Sequence, residues 1–166
     1  AISLSLAAML FYIWIRFEWQ FSLAAIIALI HDVIITMGIF SFLSYEINLS
    51  IVAAVLTIVG YSMNDTVVIF DRIRENLKKY LKISITEISN TSTNDTLSRT
   101  LITSLTTLLA LLSIYIFGGA ILKGFSLAMI IGVIVGTYSS IFVATPILNY
   151  TNVSQKTVMP EKIDNN

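Results

Sequence analysis

Two acidic residues stand where acids are costly. Asp65 lies in GYSMNDTVVIFDRIREN, residues 60–76, and Asp32 lies in ALIHDVIIT, residues 28–36. Both stretches otherwise read as membrane-spanning helices. An ionised carboxylate in hydrocarbon costs roughly 3 kcal/mol unless it is paired or protonated, so an acid there points to proton or ion handling. Asp65 precedes Asp71, where charge becomes dense, by six residues. At ~1.5 Å per residue, that sets it roughly 9 Å inside the bilayer. Arg99 follows Asp95 by four residues, which sets it roughly 6 Å in from the same side. An acid and a base at similar depth on neighbouring antiparallel helices can pair, lowering the burial cost of both.

Supporting polar residues surround this pair in the sequence. Asn64 and Thr66 flank Asp65, and Thr96, Arg99, Thr100, Thr103 and Thr107 recur at helical spacing. Hydroxyls running inward from an arginine suit a hydrated path or a helix–helix seam. A proton relay through Asp65 and Arg99, a static ion pair, and an Arg99 that merely snorkels to the interface all fit. So does an Asp65 that caps a helix starting at Thr66. His31 and Asp32 sit near the middle of the second span, and Asp32 shares a face with Thr36 at i, i+4 spacing. Either can pass protons onward, imidazole titrating in the useful range, or serve in a hydrogen-bonded polar seam. Both readings stay open.

Composition fixes the solvent around these residues. Of 166 residues, 56% are hydrophobic and 12% charged, against roughly a quarter charged in a soluble domain. No charge falls between Thr100 and Leu122, or between Gly124 and Gln155. Apolar runs of about 18 or more residues are candidate membrane helices. The fold class predicted is all-α, a polytopic membrane bundle of about five helices over 1–15, 21–42, 50–70, 97–117 and 125–148. The first is short for a crossing and the chain opens inside an apolar run, so an upstream part is expected. The tail, 151–166, is polar.

Lys and Arg set the orientation. Arg16, Arg72, Arg74, Lys78, Lys79, Lys82, Lys156 and Lys162 fall on one side, and Lys123 alone on the other. The charged side is expected to be cytoplasmic, with the C-terminus inside and 71–96 a cytoplasmic loop. Within it, Ile73, Leu77, Tyr80 and Leu81 recur at helical spacing, suiting a helix on the membrane face or an extension of the preceding span. SITEISNTSTND, residues 84–95, reads as irregular loop. Gly132 and Gly136 form a GxxxG packing pair, extended by Ser139 and Ser140. Gly118, Gly119 and Gly124 read as a tight outer turn, and Pro146 as a kink or stop in the last helix.

Other chemistries find no support. The chain has no cysteine and one histidine, so neither a thiolate metal site nor a histidine-rich one is expected. No cofactor motif or nucleophile–base arrangement appears, and no enzymatic reaction is predicted. A net charge of zero with no basic, aromatic-lined face gives nucleic acid nothing to bind. Lipid is the predicted surrounding.

The motifs ALIHDV, TIVGYSMNDTVVIFDRIREN, LSRTLITSLTTLL, FGG, LKGF and IGVIVGTYSSIFVA cover nearly the whole chain except its tail. On these residues it resembles the SecF family of bacterial protein-export membrane subunits, within the resistance–nodulation–division superfamily. The resemblance implies helices two to six of a six-helix subunit, lacking the first helix and the periplasmic domain that follows it. It further implies use of the proton motive force in the bacterial inner membrane. The partners implied are SecD, the SecYEG translocon, YajC and a preprotein substrate. It places the family's proton-relay acid on Asp65 and the arginine of its SRT motif on Arg99. A scaffold subunit and a proton-coupled small-molecule transporter remain as alternatives.

Overall fold

Apolar runs interrupted by hydroxyls at helical spacing fold here into a bundle of long helices. The computed structural model describes residues 11–80, 83–151 and 153–158, and all regular structure among them is helical. Helix α1 is described over residues 11–16, so most of the span expected over 1–15 lies outside the described residues. There follow α2 (Trp19–Phe42), α3 (Leu49–Lys79), α4 (Ile85–Phe117) and α5 (Gly119–Ser139). A π-helical turn (Ser140–Ala144) joins α5 to α6 (Thr145–Tyr150), and a short α7 (Gln155–Val158) ends the described chain. Four helices among the described residues are long and apolar enough to cross a membrane, counting Gly119–Tyr150 as one.

The segment expected to be loop over 71–96 is mostly helix. Helix α3 runs on to Lys79 and α4 begins at Ile85, so the amphipathic stretch is an extension of the span. Ile73 and Leu77 are fully buried there, and Ile88 of α4 lies in the same core. Ser84 starts α4 by accepting the Glu87 amide at 3.3 Å, with Glu87 adding an acid to the first turn, a favourable start for a helix. The polar residues that suggested loop therefore stand around a helix, Ser89 and Ser92 turned inward and Thr86, Asn90 and Thr91 outward. Asp65 caps nothing, since α3 passes through it unbroken.

The outer turn is shorter than expected. Gly118 closes α4 through its amide to the Ile114 carbonyl at 2.7 Å, and Gly119 takes φ +76°, a conformation only glycine adopts without strain. Gly124 is no part of that turn: it sits inside α5, where a Cβ would stand 3.8 Å from Ile51 Cγ1. Further on, Pro146 does not stop the chain's helical course: it stands at the start of α6, directly after a π turn that interrupts the α-helix. It lacks an amide hydrogen and its ring crowds the carbonyl four residues back. The π turn before it absorbs the mismatch, with Thr145 Oγ1 donating to the Ser140 carbonyl at 2.9 Å.

Two apolar cores bracket a polar layer. One gathers Phe17, Phe21, Phe70, Ile73, Leu77, Ile88 and Leu148, where the Phe21 and Phe70 rings meet edge to face at 5.3 Å. The other gathers Phe40, Ile51, Ile58, Leu111, Met129 and Val133. Between them α2, α3 and α5 bring Asp32, Thr36, Ser62, Asp65, Thr66, Ser139 and Ser140 inside, each under 5% exposed. The first core lies beneath a charged end of the bundle. There Arg16 pairs with Asp71 at 2.9 Å, Arg74 with Glu18 at 2.9 Å and Arg72 with Asp95 at 2.7 Å.

Candidate proton-relay site

The polar layer exists because small residues let α3 and α5 approach. A Cβ on Gly132 would collide with the Ile58 side chain, and one on Gly136 would stand 3.0 Å from Ser62 Cβ. In lipid, where apolar side chains gain nothing by leaving the hydrocarbon, such close contact and buried hydroxyls hold helices together. The sequence places Ser139 and Ser140 directly after this pair, which turns them toward α2 and α3.

Asp32 uses that arrangement fully. Its Oδ2 accepts hydroxyl hydrogens from Ser62 at 2.5 Å and Ser139 at 2.8 Å, and its Oδ1 lies 3.0 Å from His31 Nδ1. Three helices thus converge on one carboxyl group that is 1% exposed. His31 stands at the edge, its side chain 30% exposed. Thr36, one turn along α2, is as buried as Asp32, and its hydroxyl finds no partner among the described residues.

Asp65 is placed differently. It is 4% exposed, yet its Oδ2 has no hydrogen-bond partner among the described residues. Its neighbour Thr66 is committed elsewhere, to the Ser62 carbonyl at 3.2 Å and the Ser140 hydroxyl at 3.0 Å. Asn64 points away and is exposed. A buried carboxyl oxygen without a donor is costly in either protonation state, and such a group stays responsive to any change in its surroundings.

Arg99 does not form the ion pair expected with Asp65. Its side chain is exposed, no ion pair among the described residues includes it, and it acts on Asp65 only through space. The buried stripe of α4 is Ser92, Thr96, Thr100 and Ser104, and at ~100° per residue Arg99 is turned off it. Thr103 bonds backward along its own helix, to the Arg99 and Thr100 carbonyls, both at 3.0 Å. The Thr100 hydroxyl is buried without a partner among the described residues.

Residues that the sequence did not single out complete the layer. Ser62 is the chief one; its only signal was a small hydroxyl three residues before Asp65. Ser104 meets Thr137 at 2.7 Å, Tyr61 meets Thr107 at 3.3 Å and Asn76 meets Ser92 at 2.9 Å, so hydroxyl and amide pairs tie α4 to α3 and α5 between residues 92 and 107. No group of three or more metal-ligating side chains occurs among the described residues.

The sequence model of the family described as "Protein export membrane protein SecD/SecF, C-terminal" matches residues 1–154. The Protein translocase subunit SecF of Rickettsia bellii is 57% identical over 148 residues, which is 89% of this chain and 49% of that protein. The subunit of the same name from Cereibacter sphaeroides is 49% identical over 155 residues, 93% of this chain and 48% of that protein. The crystal structure of SecDF from Thermus thermophilus, a translocon-associated membrane protein, superimposes with a TM-score of 0.84 at 47% identity. That match covers 89% of this chain and 21% of that one. A crystal structure of SecDF in the super-membrane-facing form superimposes with a TM-score of 0.83, also at 47% identity, covering 88% of this chain and 20% of that one. The chain thus spans about half the length of the curated relatives it matches.

Proposed function

The chain belongs to the SecD/SecF C-terminal family of protein export membrane proteins, and on that premise we propose that it is the membrane part of a protein-export subunit. It works with SecD and uses the proton motive force to promote preprotein translocation beside the SecYEG translocon and YajC. It sits in the bacterial inner membrane as a multi-pass protein with its C-terminus in the cytoplasm. The support for that sidedness is the cluster Arg16, Arg72 and Arg74, tied by ion pairs at one end of the bundle, against the positive-inside rule.

Asp65 is the proton carrier. The observation that carries this reading is its partnerless Oδ2, buried in the middle of a bundle whose other inner carboxyl group is fully bonded. In the working cycle, Asp65 alternates between an ionised state drawn toward Arg99 and a protonated state released from it. Arg99, turned outward here, swings or shifts with α4 to meet it. Burial and a nearby guanidinium act in opposite directions on a carboxyl proton, so a small movement of α4 against α3 loads or unloads it. Each proton crossing yields ~2.3 kcal/mol per 100 mV. Asp32 holds the helices against which this movement occurs.

The test is Asp65→Asn in the full-length subunit. Loss of proton-driven export with normal assembly and normal SecD association supports the proposal. Export at the unaltered level would leave the chain a scaffold. A small-molecule transporter has no specific observation in its favour.

A further inference from the structure

The helix formed by α5 and α6 is interrupted once, by the π turn over Ser140–Ala144. Such a turn holds one residue more than an α-helical one, and it recurs at functional sites. Winding it back to α-helix turns everything beyond it by roughly 100°. Each later residue then takes the place now held by the one after it.

Both registers are provided for. Leu148 is fully buried in the inner core, and Ile147 already packs against that core, so the exchange puts one branched apolar side chain where another stood. Each register also carries a cost. In the present one Asn149 Oδ1 is buried with no hydrogen-bond partner among the described residues, which is unfavourable. In the other, Asn149 takes the place of Tyr150, which is 86% exposed. The cost of that second register falls at Pro146, whose ring crowds the Phe142 carbonyl in an unbroken α-helix. Thr145 favours the present one, its Oγ1 donating to the Ser140 carbonyl five residues back at 2.9 Å. Opposed costs of this kind make an element with two discrete arrangements.

The polar layer reaches this element through Ser140. Its hydroxyl lies 2.8 Å from the Gly136 carbonyl and 3.0 Å from the Thr66 hydroxyl, and its single hydrogen can serve either. Thr66 has the same choice, between Ser140 and the Ser62 carbonyl at 3.2 Å, and it follows Asp65 directly on α3. Toward this layer α2 brings His31 and Asp32, α4 brings the Arg99 charge, and α5 and α6 bring no charged residue after Lys123. A shift of α3 beside Asp65 therefore redistributes hydroxyl hydrogens at the residue from which the π turn starts.

We propose that the Ser140–Ala144 turn is a hinge that passes between π and α forms as Asp65 gains and loses its proton, rotating α6 against the inner core. Ser140 is the positioning residue that links the two. What drives the hinge rests on the reading of Asp65 as the proton carrier; the two registers rest only on the turn, Pro146 and Asn149.

The test uses the full-length subunit with SecD in lipid, free of other cysteines, carrying Ile147→Cys or Asn149→Cys, with a small maleimide as the probe. Pro146→Ala removes what opposes the α form. It is expected to slow labelling at 147 and to speed it at 149, each about ten-fold, whereas a general loosening of the bundle speeds both. Export in Pro146→Ala is expected to fall several-fold with Tm unchanged or raised, a combination that lost packing does not give. In the unaltered protein an imposed proton gradient is expected to move the two rates in the same opposite directions, and Ser140→Ala to abolish that response. Should Ser140→Ala fail to assemble, Thr66→Val takes its place. Rates that Pro146→Ala leaves alone or moves together, or export that it leaves unaltered, would overturn the hinge. No response to the gradient, or one that survives Ser140→Ala, would overturn the link to the polar layer. A response that survives Asp65→Asn counts instead against Asp65 as the carrier and leaves the hinge standing.

Discussion

Asp32 and Asp65 are the same residue type, buried to nearly the same degree within one polar layer, yet they are bonded in opposite ways. Asp32 is tied to α2, α3 and α5 by His31, Ser62 and Ser139. A proton added to its Oδ2 would displace one of two hydroxyl donors. Asp65 holds one oxygen free of any such bond, and its nearest formal partner, Arg99, stands outside the bundle surface. Burial alone therefore does not separate the acid proposed to carry protons from the one proposed to hold the helices. What distinguishes them is the count of bonds that a change of protonation would break.

Four experiments break or sharpen this contrast, in falling order of effect. Asp65→Asn is expected to lower proton-driven export by at least about ten-fold while leaving thermal unfolding close to that of the unaltered protein. Asp32→Ala does the reverse first: it strips the acceptor from Ser62 and Ser139 and is expected to destabilise the bundle by about 2–4 kcal/mol, seen as a lowered Tm in detergent. If Asp32→Ala left Tm unchanged, the two acids would not differ as described.

Gly132→Ala pushes α5 away from Ile58 and is expected to cost about 1–3 kcal/mol. Ile58→Ala in the same chain should restore part of that loss, because the colliding atoms are Ile58 side-chain atoms. No recovery in the double variant would mean that the close approach is set elsewhere.

The smallest effect lies at the charged end. Arg72 donates to Asp95 at 2.8 Å, and this bond holds the Asp95 carboxyl below its usual pKa of 3.8. A depressed folded pKa contributes stability that is present above the unfolded value and lost as pH falls through the folded one. Exposed pairs of this kind contribute little. Asp95→Asn should cost a slight amount of stability above about pH 4, a cost that fades as pH falls further and is screened by salt, and leave the Asp32 junction intact.

Much of this was readable from residue types. The apolar runs gave a helical membrane bundle, and the cost of an acid in hydrocarbon pointed to Asp65 and Asp32. The GxxxG spacing marked the face of α5 that packs on α3. The start of α4 was not readable, because SITEISNTSTND has the composition of a loop. Two of its serines in fact pack inward, Ser89 and Ser92 at 2% and 0% exposed, while Thr86 and Thr91 face outward. The large residues of the same helix face outward, Leu105 and Ile102 at 60% each. A soluble helix would be arranged the other way round. The Asp65–Arg99 pair was expected from depth alone, and depth says nothing about which way a residue faces around the helix axis. One residue of rotation, from Thr100 to Arg99, separates the buried stripe from the surface.

The most direct test of the central claim is infrared spectroscopy of the protonated-carboxyl band in the full-length subunit, followed through a pH titration in lipid. A band that grows as pH falls, is absent in Asp65→Asn and persists in Asp32→Asn is the result predicted. A titrating band that survives Asp65→Asn and vanishes in Asp32→Asn would contradict the account.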